Sequence, residues 1–260
     1  MKGWKRGLVM LVVVATLLPS LALARKSQDD YEWKTWRTRR SHAGFNGFGG
    51  FFFGGQKYES NALSQLAAQM GVSGLKENAL GSGGWGMGHL GNGWRIGGLG
   101  YGYTVKGTGV YTDPVSGNRY NRRLQLDVGG GGFMIEYSPW MIGPVNFGVG
   151  SVLGGGGATI SMHQDTGTFT WGELGDQYVN PQTAGENIST DIMQGYLMVE
   201  PYITARVHVL DWMAFSATVG YHFDSMQAAN WQFDMNDLSG QGPDMNLNQL
   251  FIRAGLVFGG

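Results

Sequence analysis

The feature that most constrains this chain is how its connections are sorted. Segments with apolar and polar residues in strict alternation, the period of a strand, run over about 45–56, 83–90, 94–106, 121–137, 145–162, 194–209, 212–224 and 248–259. The links between them alternate in length. Residues 91–93, 138–144 and 210–211 are short, whereas 57–82, 107–120, 163–193 and 225–247 are long. In an antiparallel meander every other connection lies at the same end. The spacing therefore predicts an all-β, eight-stranded, antiparallel up-and-down barrel with short turns and both ends of the chain on one side. One short helix is expected in the first long loop, at 61–70, where Leu63, Leu66, Ala67 and Met70 follow i, i+3, i+4, i+7 spacing.

The faces say what surrounds the barrel. In the last segment Leu250, Ile252, Ala254, Leu256 and Phe258 share one face, opposite Gln249, Phe251, Arg253 and Gly255. The segment before it sets Met213, Phe215, Ala217, Val219, Tyr221 and Phe223 against Trp212, Ser216, Thr218, Gly220 and His222. The sixth sets Leu197, Val199, Ile203, Ala205 and Val207 against Glu200, Tyr202, Thr204 and Arg206. A charge facing lipid near the bilayer centre costs about 2–4 kcal/mol, so in a transmembrane barrel these charges point inward. An eight-stranded lumen is filled by side chains, and buried charges need partners. Arg95, Asp127, Glu136, Glu200, Arg206 and Arg253 are the expected lumen ionic network, with Glu200 against Arg206 or Arg253 as its centre. Trp94, Trp140, Trp212 and Phe258 lie beside the short turns, where an interfacial aromatic girdle belongs.

Two local features strain this pattern. Around Gly97-Gly98, Gly129–Gly132 and Gly154–Gly157 the apolar parity flips, from Trp94/Ile96, Leu124/Leu126/Val128 and Val145/Phe147/Val149 to Leu99/Tyr101/Tyr103, Phe133/Ile135/Tyr137 and Ala158/Ile160/Met162. One residue of slip flips every side chain, so each run is expected to carry a bulge or kink. Pro201 falls inside the sixth segment, where a closed ladder has no free edge for a missing N–H, so a bulge is expected there too.

Composition fits an exported membrane barrel. Residues 1–24 read as a signal peptide: Lys2, Lys5 and Arg6, then an apolar run, then Ala22-Leu23-Ala24. Residues 25–44 form a polar periplasmic tail, leaving 45–260 for the barrel. There is no cysteine, so no disulfide contributes. Glycine makes up 46 of 260 residues without a collagen period, interleaved with aromatic and branched residues. From Leu124 onward Arg206 and Arg253 are the sole cations against 13 acids, which leaves no basic stripe for nucleic acid in that half.

Signal peptide, eight alternating strands, sorted loops and an aromatic-bearing last strand together resemble the small bacterial outer-membrane barrels of the OmpA/OmpX type. The resemblance is one of architecture over residues 45–260. The chain departs from it by ending Phe258-Gly259-Gly260 rather than on the aromatic. It implies an outer-membrane location with periplasmic termini, lipid as the surrounding partner, a monomer, no cofactor, and a structural or surface-interaction role for long acidic outer loops. Trp171, Tyr178, Trp231 and Phe233 are loop aromatics available to a partner. The acids at 163–193 and 225–247 offer oxygen ligands for a divalent cation. Some barrels of that group modify lipids with a rim histidine and serine. Here Ser161 with His163, and His222 with Asp224, are the candidates for acyl hydrolysis or transfer. A soluble periplasmic barrel binding an apolar ligand is the remaining alternative, and it would reverse the two faces.

Overall fold

The structure, a computed structural model, describes residues 47–57, 61–75, 78–167, 187–227, 229–239 and 242–259. The signal peptide, the tail, Trp171 and Tyr178 lie outside the described residues. Eight long strands pair in sequence order: β1 (Gly47–Lys57), β2 (Asn78–Gly91), β3 (Trp94–Thr112), β4 (Arg119–Ile142), β5 (Val145–Asp165), β6 (Ile188–Leu210), β7 (Met213–Asp224) and, after two short strands, β10 (Gln249–Gly259). β10 closes on β1, so the ring has no edge. Cα partners traced round the ring from Trp94, through Tyr137, Val149, Ile203, Val219, Ile252, Gly55 and Leu80, return at Thr104. That ten-residue stagger tilts the strands as closure demands. A helix, α1 (Asn61–Gln69), stands in the first long connection as its spacing predicts.

The short connections are tighter than the sequence suggests. β4 continues to Ile142, leaving residues 143–144 as its turn, and residues 92–93 and 211–212 form the other two. Asn92 and Gly93 adopt the left-handed conformation that such hairpins require. All three register shifts, at His89/Gly91, Tyr137/Trp140 and His208/Leu210, lie beside these turns. Phe48 pairs with Gly259 at the same end.

The glycine runs carry no bulge. β3, β4 and β5 stay in register through Gly97-Gly98, Gly129–Gly132 and Gly154–Gly157. Leu99, Tyr101 and Tyr103, Leu124, Leu126 and Val128, and Ala158 and Ile160 are therefore buried inside, with Met162 half-buried on the same face; none of them looks outward. What flips is the surroundings. Below the runs the outward row Trp94, Tyr137, Val149, Ile203 is apolar or aromatic, and the next inward row holds Arg95, Glu136 and Tyr202. Above them the outward rows read Thr104, Asp127, Thr159, Met193 and Lys106, Gln125, Ser161, Asp191, enclosing an inward row of Val105, Leu126, Ile160 and Ile192. Asp127 is thus no lumen residue; it faces outward and accepts hydrogen bonds from Thr104 Oγ1 and Gln125 Nε2, each 2.7 Å.

β3–β6 run five to eight residues past the Thr104 row, whereas the other four strands end near it. At ~3.3 Å per residue and a barrel-like tilt, this four-stranded sheet extends roughly 15–25 Å beyond the ring. Both of its edges are covered. Ser73 bridges Thr108 through both backbone bonds (2.9 and 3.0 Å), and β8 (Gln232–Phe233), hairpinned to β9 (Asn236–Asp237), pairs with Ile192 and Met193. Its inner face packs under Leu63 and Ala67 of α1 and under Trp231 and Leu247. Trp231, expected on the surface, is fully buried and donates to Pro243 O (2.9 Å), while Phe233 is exposed.

Inward glycines are sockets for rings on the facing strand. Tyr103 stands opposite Gly81, Tyr101 opposite Gly130, Tyr202 opposite Gly150, Tyr196 opposite Gly156, Phe52 opposite Gly83 and Phe251 opposite Gly220. At each of these glycines a Cβ would stand 2.4–2.8 Å from the ring or its hydroxyl. In a lumen this narrow a large ring fits across a strand pair only where its partner has no side chain. Gly130→Ala, whose nearest contacts would be the Tyr101 ring and Met198, is expected to destabilise the barrel by about 1–3 kcal/mol. Gly129→Ala, one residue along and facing outward, should change little. Urea titrations of the two refolded variants compare them directly.

Candidate functional site

Inside the ring the charges form two clusters. The lower one centres on Glu136 (β4). Arg206 (β6) grips it with two bonds of 2.6 Å, and Arg95, its cross-strand partner on β3, adds one of 2.9 Å. Tyr202 OH donates to the same carboxylate at 3.3 Å, and Arg95 also reaches Asn146 (3.1 Å). Gly148 makes room, since a Cβ there would meet the Glu136 carboxylate oxygen at 2.9 Å. Phe48 lies against both guanidinium groups, 4.9 and 5.3 Å from the ring centroid.

The upper cluster centres on Glu200 (β6). Arg253 (β10) binds both of its oxygens at 2.8 and 2.9 Å, Tyr101 OH donates at 2.9 Å, and His222 Nδ1 lies 2.8 Å away. Rings of Phe251 and Tyr101 flank Arg253 at 3.9 and 4.6 Å. Of the sequence's two options for Glu200, its partner is Arg253, and Arg206 goes to Glu136. Both carboxylates are fully buried, so their worth lies in mutual satisfaction: removing one partner strands a charge in a low-dielectric interior.

Pro201 sits beside this cluster without a bulge. Val199 pairs with Phe223 and Tyr202 with Gly220 in the same register, and the two intervening pairs of the β6–β7 ladder are missing. The position facing Glu200 across that gap is His222. A side-chain bond thus spans the place where proline supplies no N–H.

The candidate catalytic residues do not converge. Ser161 and His163 belong to the outward face of the projecting sheet, where His163 Nδ1 meets Ser189 Oγ (2.9 Å). His222 faces inward and is engaged by Glu200, and Asp224 accepts from the Met226 amide (2.8 Å). The wall of the barrel separates the two pairs, which leaves no nucleophile–base–carboxylate arrangement among the four. Among the described residues no group of three or more His, Asp or Glu is placed to hold a metal ion. Glu173, Asp176 and Glu186 lie outside the described residues. In the β3–β4 turn, hydrogen bonds from Ser116 Oγ and the Val115 amide hold the Asp113 carboxyl below its ordinary range.

The girdle positions lie at the short-turn end. Trp94 packs on Tyr137 (4.9 Å) and Trp140 on the same ring (6.5 Å). Trp212, assigned by parity to the inner face, lies in its turn, is 57% exposed, and stacks on Phe258 at 6.3 Å. From Trp94 to Thr104, ten residues of tilted strand correspond to an apolar band of roughly 25 Å.

No protein-family model matches the chain, and no curated protein matches it. Solved structures similar to it include the attachment invasion locus protein of Yersinia pestis (12% identity, TM-score 0.38, 82% of this chain and 99% of that chain). Others are the outer membrane protein OprG from Pseudomonas aeruginosa (10%, 0.40, 82% and 95%) and a major outer membrane protein from Thermus thermophilus (10%, 0.43, 82% and 98%).

Replacing Glu200 by Gln is expected to cost about 3–5 kcal/mol, because the Arg253 charge loses its partner. The double variant Glu200→Gln/Arg253→Met should lose less than the sum of its single variants, whereas Asp127→Asn should stay within about 0.5 kcal/mol of the parent. Urea unfolding of the parent, the two single variants and the double variant measures the coupling, with Asp127→Asn as the control.

Proposed function

We propose that this protein is a non-enzymatic outer-membrane β-barrel whose ring anchors a projecting β-sheet and its loops on the outer side as a surface for interaction. One observation carries the reading: the outward face is apolar for one membrane thickness and then turns polar at the Thr104–Asp127–Thr159–Met193 row, while the inner face changes in the opposite sense. Such a wall is inverted for water below that row and ordinary for water above it. Loops and the sheet beyond the lipid are where a rigid scaffold carries recognition. In this reading both termini and the three short turns are periplasmic, lipid surrounds the band, and the acidic loops face the exterior.

The rival readings fare worse on geometry. A barrel for an apolar ligand needs an apolar interior with space in it. Here the ring encloses two ion clusters and, between them, a cavity of about 20 Å³, room for about one water. An acyl-transfer site needs a histidine and a hydroxyl beside a carboxylate, and the barrel wall keeps His222 apart from Ser161 and His163.

The chain has no cysteine, so single cysteines report position cleanly. In intact cells an impermeant maleimide should label Thr108→Cys, on the projecting sheet, and should reach Asp211→Cys, in a short turn, only after the outer membrane is permeabilised. The reverse pattern would invert the orientation. Recovery of both variants in the detergent-free soluble fraction, with no change in gel mobility between unheated and boiled samples, would sink the membrane placement.

A further inference from the structure

We infer that the barrel lumen binds one small monovalent anion, of the halide class, between Arg206 and Arg253. The charge balance inside the ring is uneven. At the level of the apolar band, Arg95, Arg206 and Arg253 face inward against Glu136 and Glu200, among the described residues. The next acid up the lumen, Asp224, lies above that level beside His222; one oxygen accepts from the Met226 amide (2.8 Å) and the other is buried without a partner. At that level three guanidinium groups and two carboxylates leave one positive charge without a counter-charge in direct contact, in surroundings where an uncompensated charge is costly.

The donors point to where the balancing charge sits. Arg206 and Arg253 are each 4% exposed, and each spends its two terminal nitrogens on its glutamate. The Nε–H of each makes no hydrogen bond of good geometry, although the Tyr103 hydroxyl, itself unpartnered, lies beside Arg253. Both side chains line the same cavity of about 20 Å³, together with Phe52, Trp85, Ser216 and Thr218. The hydroxyls there are already donated, Ser216 Oγ to Gly255 O (3.4 Å) and Thr218 Oγ1 to Thr204 Oγ1 (3.0 Å). The site thus asks for an acceptor bearing charge, of monatomic size. Two N–H donors from separate guanidinium groups suit a chloride ion. The inference concerns the lumen alone and stands whichever membrane or partner the outer sheet meets.

The test uses the full barrel refolded in detergent, with bromide as the probe. Crystals grown in sodium bromide are expected to show one anomalous peak within contact distance of both Nε atoms. The temperature at which gel mobility shifts should rise with bromide relative to gluconate at equal ionic strength. That dependence should vanish in Ser216→Val, which narrows the cavity and leaves the charges, and in Arg206→Gln, which leaves two arginines for two glutamates. Ser216→Val keeps the test decisive if Arg206→Gln fails to fold. Density fitted by water with no anomalous signal, bromide at the protein surface alone, or a midpoint indifferent to the anion would each overturn the inference.

Discussion

A wall one strand thick has two faces and a single register, and everything else in this protein answers to that constraint. Because successive side chains point to opposite sides, a strand that leaves one environment for another must exchange the chemistry of its two faces without losing a residue. β3–β6 do so across their glycines. Gly102, Gly129, Gly157 and Gly195 form one outward row between apolar and polar surroundings, and the ladder runs through them unbroken. Glycine commits neither face to either environment, and the backbone pairing continues.

The same residue solves the crowding inside. Tyr101, Tyr103, Tyr196 and Tyr202 each need the width of a strand pair, and a glycine opposite provides it. Those rings in turn hold the arginines: Tyr101 donates to Glu200 and flanks Arg253, and Tyr202 donates to Glu136. Glycine content, aromatic content and buried ion pairs are therefore one device. Two of the sockets, Gly130 and Gly150, let Tyr101 and Tyr202 add a donor to the carboxylates that the arginines hold.

Strand number, closure and sorted turns were legible because period two and connection length are local properties. α1 was legible from Leu63, Leu66, Ala67 and Met70 for the same reason. Arg95, Glu136, Glu200, Arg206 and Arg253 could be placed inward because each is a charge facing an apolar row. Asp127 could not, since its strand leaves the apolar band before reaching it; the assumption that apolar means outward, held one row too far, also turned the glycine runs into bulges. The pairing of tyrosines with glycines was hidden because it depends on register between strands. Trp231 was hidden because the burial of a loop residue depends on the sheet it covers. Pro201 reads in the sequence as a break in a closed ladder, but the remedy, a side-chain bond between Glu200 and His222, belongs to tertiary structure.

The seam between β1 and β10 has a kinetic meaning. Phe52 meets Gly255 across it, about two hundred residues along the chain, whereas every other wall contact joins neighbouring strands in sequence. Hairpins β3–β4, β4–β5 and β5–β6 can form as soon as their own residues are available, but the seam waits for the last strand. Arg253 arrives on that strand. Until it does, Glu200 has no cation, and the upper cluster cannot assemble. The charge in the middle of the final apolar strand thus makes the completed ring the first state in which Glu200 has its arginine, so closure of the wall and assembly of the upper cluster are one event.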